Sequence, residues 1–129
     1  MSHRHKIVRI PSSLGLPFST AVRVGDVWEL SGQIGLDPKT GKLVSGGVGP
    51  ETKQTLENIK ATLEQAGSSL RSVIKVSVFL KDIADFDAMN KVYASFFEAD
   101  DYPARSAVAV AGLALSAHVE IECSAVYEK

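Results

Sequence analysis

The sequence holds a single cysteine, Cys123, and a single tryptophan. One thiol excludes an intrachain disulfide framework and a cysteine-built zinc site, and points to a reducing compartment. An excess of charge of one sign is missing too. Fourteen Lys and Arg residues stand against fifteen Asp and Glu, a net charge of -1, without the basic surplus that dedicated nucleic-acid binders carry. No apolar stretch approaches the roughly 18 residues that a membrane-spanning helix needs. The opening Met1-Ser2-His3-Arg4-His5-Lys6 leads into no apolar core of a secretion signal. The expected location is therefore the cytoplasm, with an organelle as the alternative, and no membrane or nucleic-acid partner is expected.

What is present suits a globular core. Of 129 residues 45% are hydrophobic and 22% charged, far from the composition of disordered chains. No repeat or linker divides the chain, so 1–129 is expected to be one domain, with residues 1–10 as a frayed arm or a first edge strand. Residues 20–24 and 27–33 read as strands flanking a Gly25-Asp26 hairpin turn. After a loop over roughly 34–49, Pro50 suits the first position of a helix and Glu51 its positive end. Leu56, Ile59, Leu63 and Ala66 then recur at helical spacing up to Gly67.

Residues 73–80 read as a strand with Ile74, Val76, Val78 and Leu80 on one face and Val73, Lys75, Ser77 and Phe79 on the other. Asp85 is placed to cap a second helix with a core stripe of Phe86, Met89, Val92, Tyr93, Phe96 and Phe97. Two strands, about 105–111 and 118–127, close the chain as a pair joined by a short connection. The result is an α+β arrangement with a mixed sheet and two helices on one face. Val73, Phe79 and either Ala107, Ala109 and Ala111 or Val108 and Val110 then fall on the uncovered face. So large an apolar patch implies burial against further copies of the chain.

Few residues stand out as chemistry. Gly46-Gly47-Val48-Gly49 before a helix lacks the remaining residues of a phosphate-binding motif and reads as a plain loop. His3, His5 and His118 lack the clustering a metal requires. Cys123 falls on an apolar strand face as a small core residue. Arg105, among Ala104, Ser106 and Ala107 at the start of a strand, suits a carboxylate that it can grip with two bonds, or else a salt bridge. His118, Glu120, Glu122 and Ser124 share one strand face, which is either functional or simply solvated.

A resemblance decides between these readings. Ser31-Gly32-Gln33-Ile34, Asp37-Pro38, Thr40-Gly41 and Leu43-Val44-Ser45-Gly46-Gly47-Val48 resemble the RidA/YjgF family. So do Lys53-Gln54-Thr55-Leu56-Glu57-Asn58, Phe79-Leu80-Lys81-Asp82, Pro103-Ala104-Arg105-Ser106 and Val119-Glu120-Ile121-Glu122. The match covers nearly the whole chain and is strongest to the animal members. It implies a chorismate-mutase-like fold, a homotrimer with clefts between subunits, no cofactor and no metal. The activity implied is hydrolytic deamination of reactive enamines and imines of the 2-aminoacrylate and 2-iminopropanoate class to 2-oxo acids and ammonia.

By the same resemblance Arg105 binds the substrate carboxylate and Glu120 orients or deprotonates water, while Phe18, Ser31, Gly32, Asn90 and Ala107 complete the pocket. Three features depart from the family pattern. Phe18 stands where many members have Tyr, Ala107 where bacterial members often have Cys, and Leu113-Ala114-Leu115-Ser116 where Leu-Pro-Lys is common. A non-catalytic trimer that binds small carboxylic or 2-oxo acids is the competing function, followed by an endoribonuclease that inhibits translation.

Overall fold

The structure is a computed structural model that describes residues 6–128. The arm carrying His3 and His5 lies outside the described residues. Six strands form one sheet: β1 (Ile7–Pro11), β2 (Ser19–Val24), β3 (Val27–Gln33), β4 (Val73–Leu80), β5 (Ala104–Ala109) and β6 (Val119–Val126). Their order is β1-β2-β3-β6-β4-β5, with β4 and β5 parallel and every other pair antiparallel. Two helices, α1 (Val48–Gln65) and α2 (Phe86–Ala94), complete the fold. Among the described residues no helix is long and apolar enough to cross a membrane.

Both helices pack on one face of the sheet. Leu56, Ile59 and Leu63 of α1 and Met89 and Tyr93 of α2 join Trp28, Leu30, Val76, Val78, Leu80, Val119, Ile121 and Cys123 in one buried cluster. The helical spacing in the sequence and the period-two spacing of the strands thus meet in a single core. α1 begins at Val48, two residues before the Pro50 start expected from the sequence. It ends where Gly67 takes a left-handed φ of 74°, while the Ser68 N–H bonds to the Leu63 carbonyl at 2.8 Å. A Cβ on Gly67 would lie 2.8 Å from the Tyr127 ring.

Three expectations need correction. The last two strands are not a pair: β6 inserts between β3 and β4, and β5 lies beyond β4 at the sheet edge. Nine residues with a turn of 3-10 helix separate them, enough chain to step over β4. Within β4 a register shift between Val73 and Lys75 turns Val73 into the core, 5% exposed, and leaves Ile74 48% exposed. Asp85 precedes α2 but makes no side-chain cap. The capping bond belongs to Asp82, whose carboxylate accepts the Ala84 N–H at 2.9 Å and closes the short turn before the helix. Phe96 and Phe97 lie past the end of α2 yet still pack against the core.

Among the described residues the second sheet face carries no helix. Across it Ile7, Val24, Val27 and Val126 are partnered in sequence on four strands, and all four are exposed, as is Val108 on β5. At the other face Ile121, fully buried on a central strand, gives a direct test of the packing. Ile121→Val should cost about 0.5–1.5 kcal/mol and Ile121→Ala about 2–5 kcal/mol in urea unfolding; wild-type stability in the alanine variant would contradict the core described.

Candidate active site

The sequence-predicted residues fall into two groups. Arg105 is paired with Val76 and Ala107 with Val78, both buried core positions, so Arg105 and Ala107 point to the helix side. There the Arg105 guanidinium carbon lies 4.7 Å from the centre of the Tyr93 ring and 5.6 Å from that of Phe86. A hollow of about 380 Å3 opens beside it, lined by Asn90, Tyr93, Ala94, Tyr102, Pro103 and Arg105.

Sequence reading placed Arg105 among small residues. The neighbours that hold it are aromatic and come from α2, twelve and nineteen positions earlier in the chain. The helical spacing places Tyr93 and Phe86 in the core stripe alone, and the parallel register of β5 beside β4 brings Arg105 against their rings. Among the described residues Arg105 has no ion pair, so its donors remain available to an anion. A guanidinium on an aromatic face is stabilised by about 0.5–2 kcal/mol without using those donors. Burial pushes the Tyr93 hydroxyl up to about 12 against the opposing pull of Arg105, so it stays protonated at neutral pH.

Glu120 belongs to the other side. It is partnered with Phe79 on β4, an odd number of residues from the Val76 that faces Arg105, and no register shift intervenes. The two charged residues therefore project from opposite faces of the sheet. Glu120 lies against a bulge in β3, where the register slips by one residue between Leu30 and Gln33. A Cβ on Gly32 would stand 2.3 Å from Glu120 Oε2, so glycine is what admits the carboxylate there. Ser31, beside it, donates its hydroxyl to the Ser19 carbonyl at 2.6 Å. Phe18, 46% exposed, precedes Ser19 directly.

A second hollow of about 330 Å3 lies between β3, β4 and β6, lined in part by Glu29, Ser31, Lys75, Ser77 and Glu122. Burial raises the Glu120 carboxyl above the ordinary range, and the neighbouring Glu122 charge adds to the rise. Cys123 is buried, its thiol pushed up to about 12 by burial first and then by Glu29 and Glu122, which leaves it without thiolate character. Among the described residues no group of three or more His, Cys, Asp or Glu side chains could hold a metal. His118, read as isolated in the sequence, bonds to Glu51 of α1.

An arginine in an aromatic setting and a glutamate held over a glycine bulge stand on the positions that suggested the RidA/YjgF resemblance. The sequence pattern of the family described as Endoribonuclease L-PSP matches residues 11–127. The chain belongs to that family. A RutC family protein of Pyrococcus horikoshii is 49% identical over 118 residues, 92% of each chain. A human protein named 2-iminobutanoate/2-iminopropanoate deaminase is 43% identical over 92% of this chain and 85% of its own. The crystal structure of RidA from an Antarctic Psychrobacter species superposes with a TM-score of 0.83 at 42% identity, covering 92% of this chain and 94% of that one.

The raised Glu120 carboxyl has a consequence for stability. Folding disfavours its ionised form, so its contribution to folding is greatest below the unfolded pKa and is lost as pH rises through the folded one. Wild type should therefore lose stability relative to Glu120→Gln as pH rises from about 4, the ordinary glutamate value, through the raised pKa of the folded state, and hold a constant difference above it. Urea unfolding of both proteins across the range measures it; a difference that does not change with pH would contradict the burial of this carboxyl.

Proposed function

We propose that the chain, folded as a single domain over 1–129, hydrolyses 2-imino acids and their enamine tautomers, of the 2-iminopropanoate class, to 2-oxo acids and ammonia. The observation that carries this reading is an arginine with no acidic partner among the described residues, facing a hollow of about 380 Å3. The names of the relatives at 42–46% identity support the choice of reaction.

In this mechanism Arg105 takes the substrate carboxylate through paired N–H bonds and fixes the imine carbon in place. Asn90 lines the same hollow, and by the family resemblance the main chain at Ala107 completes the pocket. Glu120 as the carboxylate accepts a proton from water while the water oxygen bonds to the imine carbon. Glu120 returns that proton to the imine nitrogen, and the nitrogen takes a second from the hydroxyl of the tetrahedral adduct. The C–N bond then breaks and C=O forms as ammonia leaves, with Glu120 ionised again. A raised carboxyl pKa brings Glu120 closer to the operating pH, where a general base is most effective, and such a base contributes about 10²–10⁴ in rate. The reaction uses neither metal nor cofactor.

Arg105 and Glu120 cannot converge within one chain, because the sheet separates them. We infer that the pocket forms between copies, the Arg105 side of one meeting the Phe18, Ser31, Gly32 and Glu120 side of another, in a closed trimer. The uncovered, partly apolar sheet face supports that association. The endoribonuclease reading has less in its favour: His118 is the one histidine among the described residues and is engaged by Glu51.

In an assay that generates 2-iminopropanoate with a dehydratase, Arg105→Ala should lower kcat/KM by about a hundredfold or more, the scale of a charge-assisted bidentate contact. Tyr93→Leu should raise KM about tenfold and Tyr93→Phe should leave it near wild type, since the ring and not the hydroxyl supports the guanidinium. Wild-type turnover in Arg105→Ala would reject the assignment. Tight 2-oxobutanoate binding by a wild-type protein that turns nothing over would favour the non-catalytic carboxylate binder.

A further inference from the structure

Glu51 lies in the first turn of α1 and is 1% exposed. A carboxylate withdrawn from water must find hydrogen-bond donors, and those of Glu51 come from one residue. Its Oε1 accepts the His118 main-chain N–H at 2.7 Å, and its Oε2 is bonded to Nδ1 of the His118 ring. The His118 carbonyl in turn accepts the Lys81 N–H at 2.9 Å, just beyond β4. His118 is thereby fixed from both sides, two residues before Glu120.

The main chain of Glu51 meets a second segment. A Cβ on Gly35 would stand 2.8 Å from the Glu51 carbonyl oxygen and 2.9 Å from its Cα, so the loop leaving β3 is pressed against the helix start. Asn58, two turns along α1, donates to the Leu36 carbonyl at 2.8 Å and fixes the next residue of that loop. Gly35 lies three residues beyond Gly32. Glu51 therefore joins the two segments whose neighbouring residues, Gly32 and Glu120, are in contact on the open face.

The chain that enters His118 is a tight turn, closed by the Ser116 N–H to the Leu113 carbonyl at 3.2 Å and the Ala117 N–H to the Ala114 carbonyl at 3.0 Å, with Ala117 fully buried. Leu115 and Ser116 both adopt left-handed φ values, 55° and 57°, a region that side chains with a Cβ seldom occupy, and Leu115 is 67% exposed. A turn of that kind keeps its shape only when its ends are fixed.

We propose that Glu51 is a positioning residue for Glu120. It sets the start of β6 against the end of β3, and so fixes the Glu120 carboxylate over Gly32 without touching substrate. The kinetic consequence rests on the deaminase reading; the structural one does not.

Two variants separate the possibilities. Glu51→Gln keeps an acceptor for the His118 N–H, and Glu51→Leu removes it at similar volume. The leucine variant should lower kcat for 2-iminopropanoate by about a hundredfold, the low end of what a general base contributes. Its KM should stay within about twofold, because Arg105 lies on the other side of the sheet. The glutamine variant should recover kcat to within about threefold of wild type.

Carbon-13 titration of the Glu120 carboxyl gives a readout that does not depend on activity. Its raised pKa should fall toward the ordinary glutamate range in Glu51→Leu and stay raised in Glu51→Gln. Wild-type kcat in the leucine variant, or a rise in KM that matches the fall in kcat, would overturn the proposal. If the leucine variant does not fold, Glu51→Asp retracts the carboxylate by one methylene and should lower kcat about tenfold at unchanged KM; unchanged kcat in that variant counts against the proposal. A wild-type protein without turnover defeats the deaminase reading alone, and the Glu120 titration then decides the role of Glu51.

Discussion

Neighbouring residues of a strand face opposite sides of a sheet, and the register of β4 against its two partners turns that rule into the arrangement of the site. Val76 aligns with Arg105 on β5, and Phe79 aligns with Glu120 on β6. With an odd number of steps between them, one functional charge is sent under α2 and the other to the open face. The helices decide what each meets: Arg105 finds the rings of Tyr93 and Phe86, and Glu120 finds the β3 bulge and the charge of Glu122.

This separation has an electrostatic benefit. An arginine and a glutamate on the same face of adjacent strands would pair with each other, and a substrate carboxylate would have to displace the glutamate. Held apart by the sheet, Arg105 keeps its donors open while aromatic faces support its charge, and Glu120 keeps a raised carboxyl that no cation lowers. On the proposed reading, one chain then holds two half-sites. The exposed row of Ile7, Val24, Val27 and Val126 on the face of Glu120 is where association between copies would recover apolar burial.

Much of the fold was legible in the sequence because its signals are local. The Gly25-Asp26 turn, the 3.6-residue spacing of Leu56, Ile59 and Leu63, and the Gly67 stop each act over a few residues. The place of β6 between β3 and β4 was not legible, since strand order depends on long-range pairing and the short 110–118 connection suggested a hairpin. The faces of β4 were misread at Val73 and Ile74 because a one-residue bulge leaves no mark on an alternating apolar run. Arg105 and Glu120 could be named from motif alone. Their opposed directions, the aromatic support of Arg105 and the Glu51–His118 link could not, because each depends on which elements the register brings together.

The central claim is that one working site takes Arg105 from one chain and Glu120 from another. Mixing Arg105→Ala and Glu120→Gln proteins, unfolding them together and refolding them tests it most directly. In random trimers about a quarter of the sites would combine an intact Arg105 with an intact Glu120. The account predicts that deaminase activity returns to about that fraction of the wild-type level in the mixture while each variant alone stays inactive. A mixture as inactive as its components would contradict it.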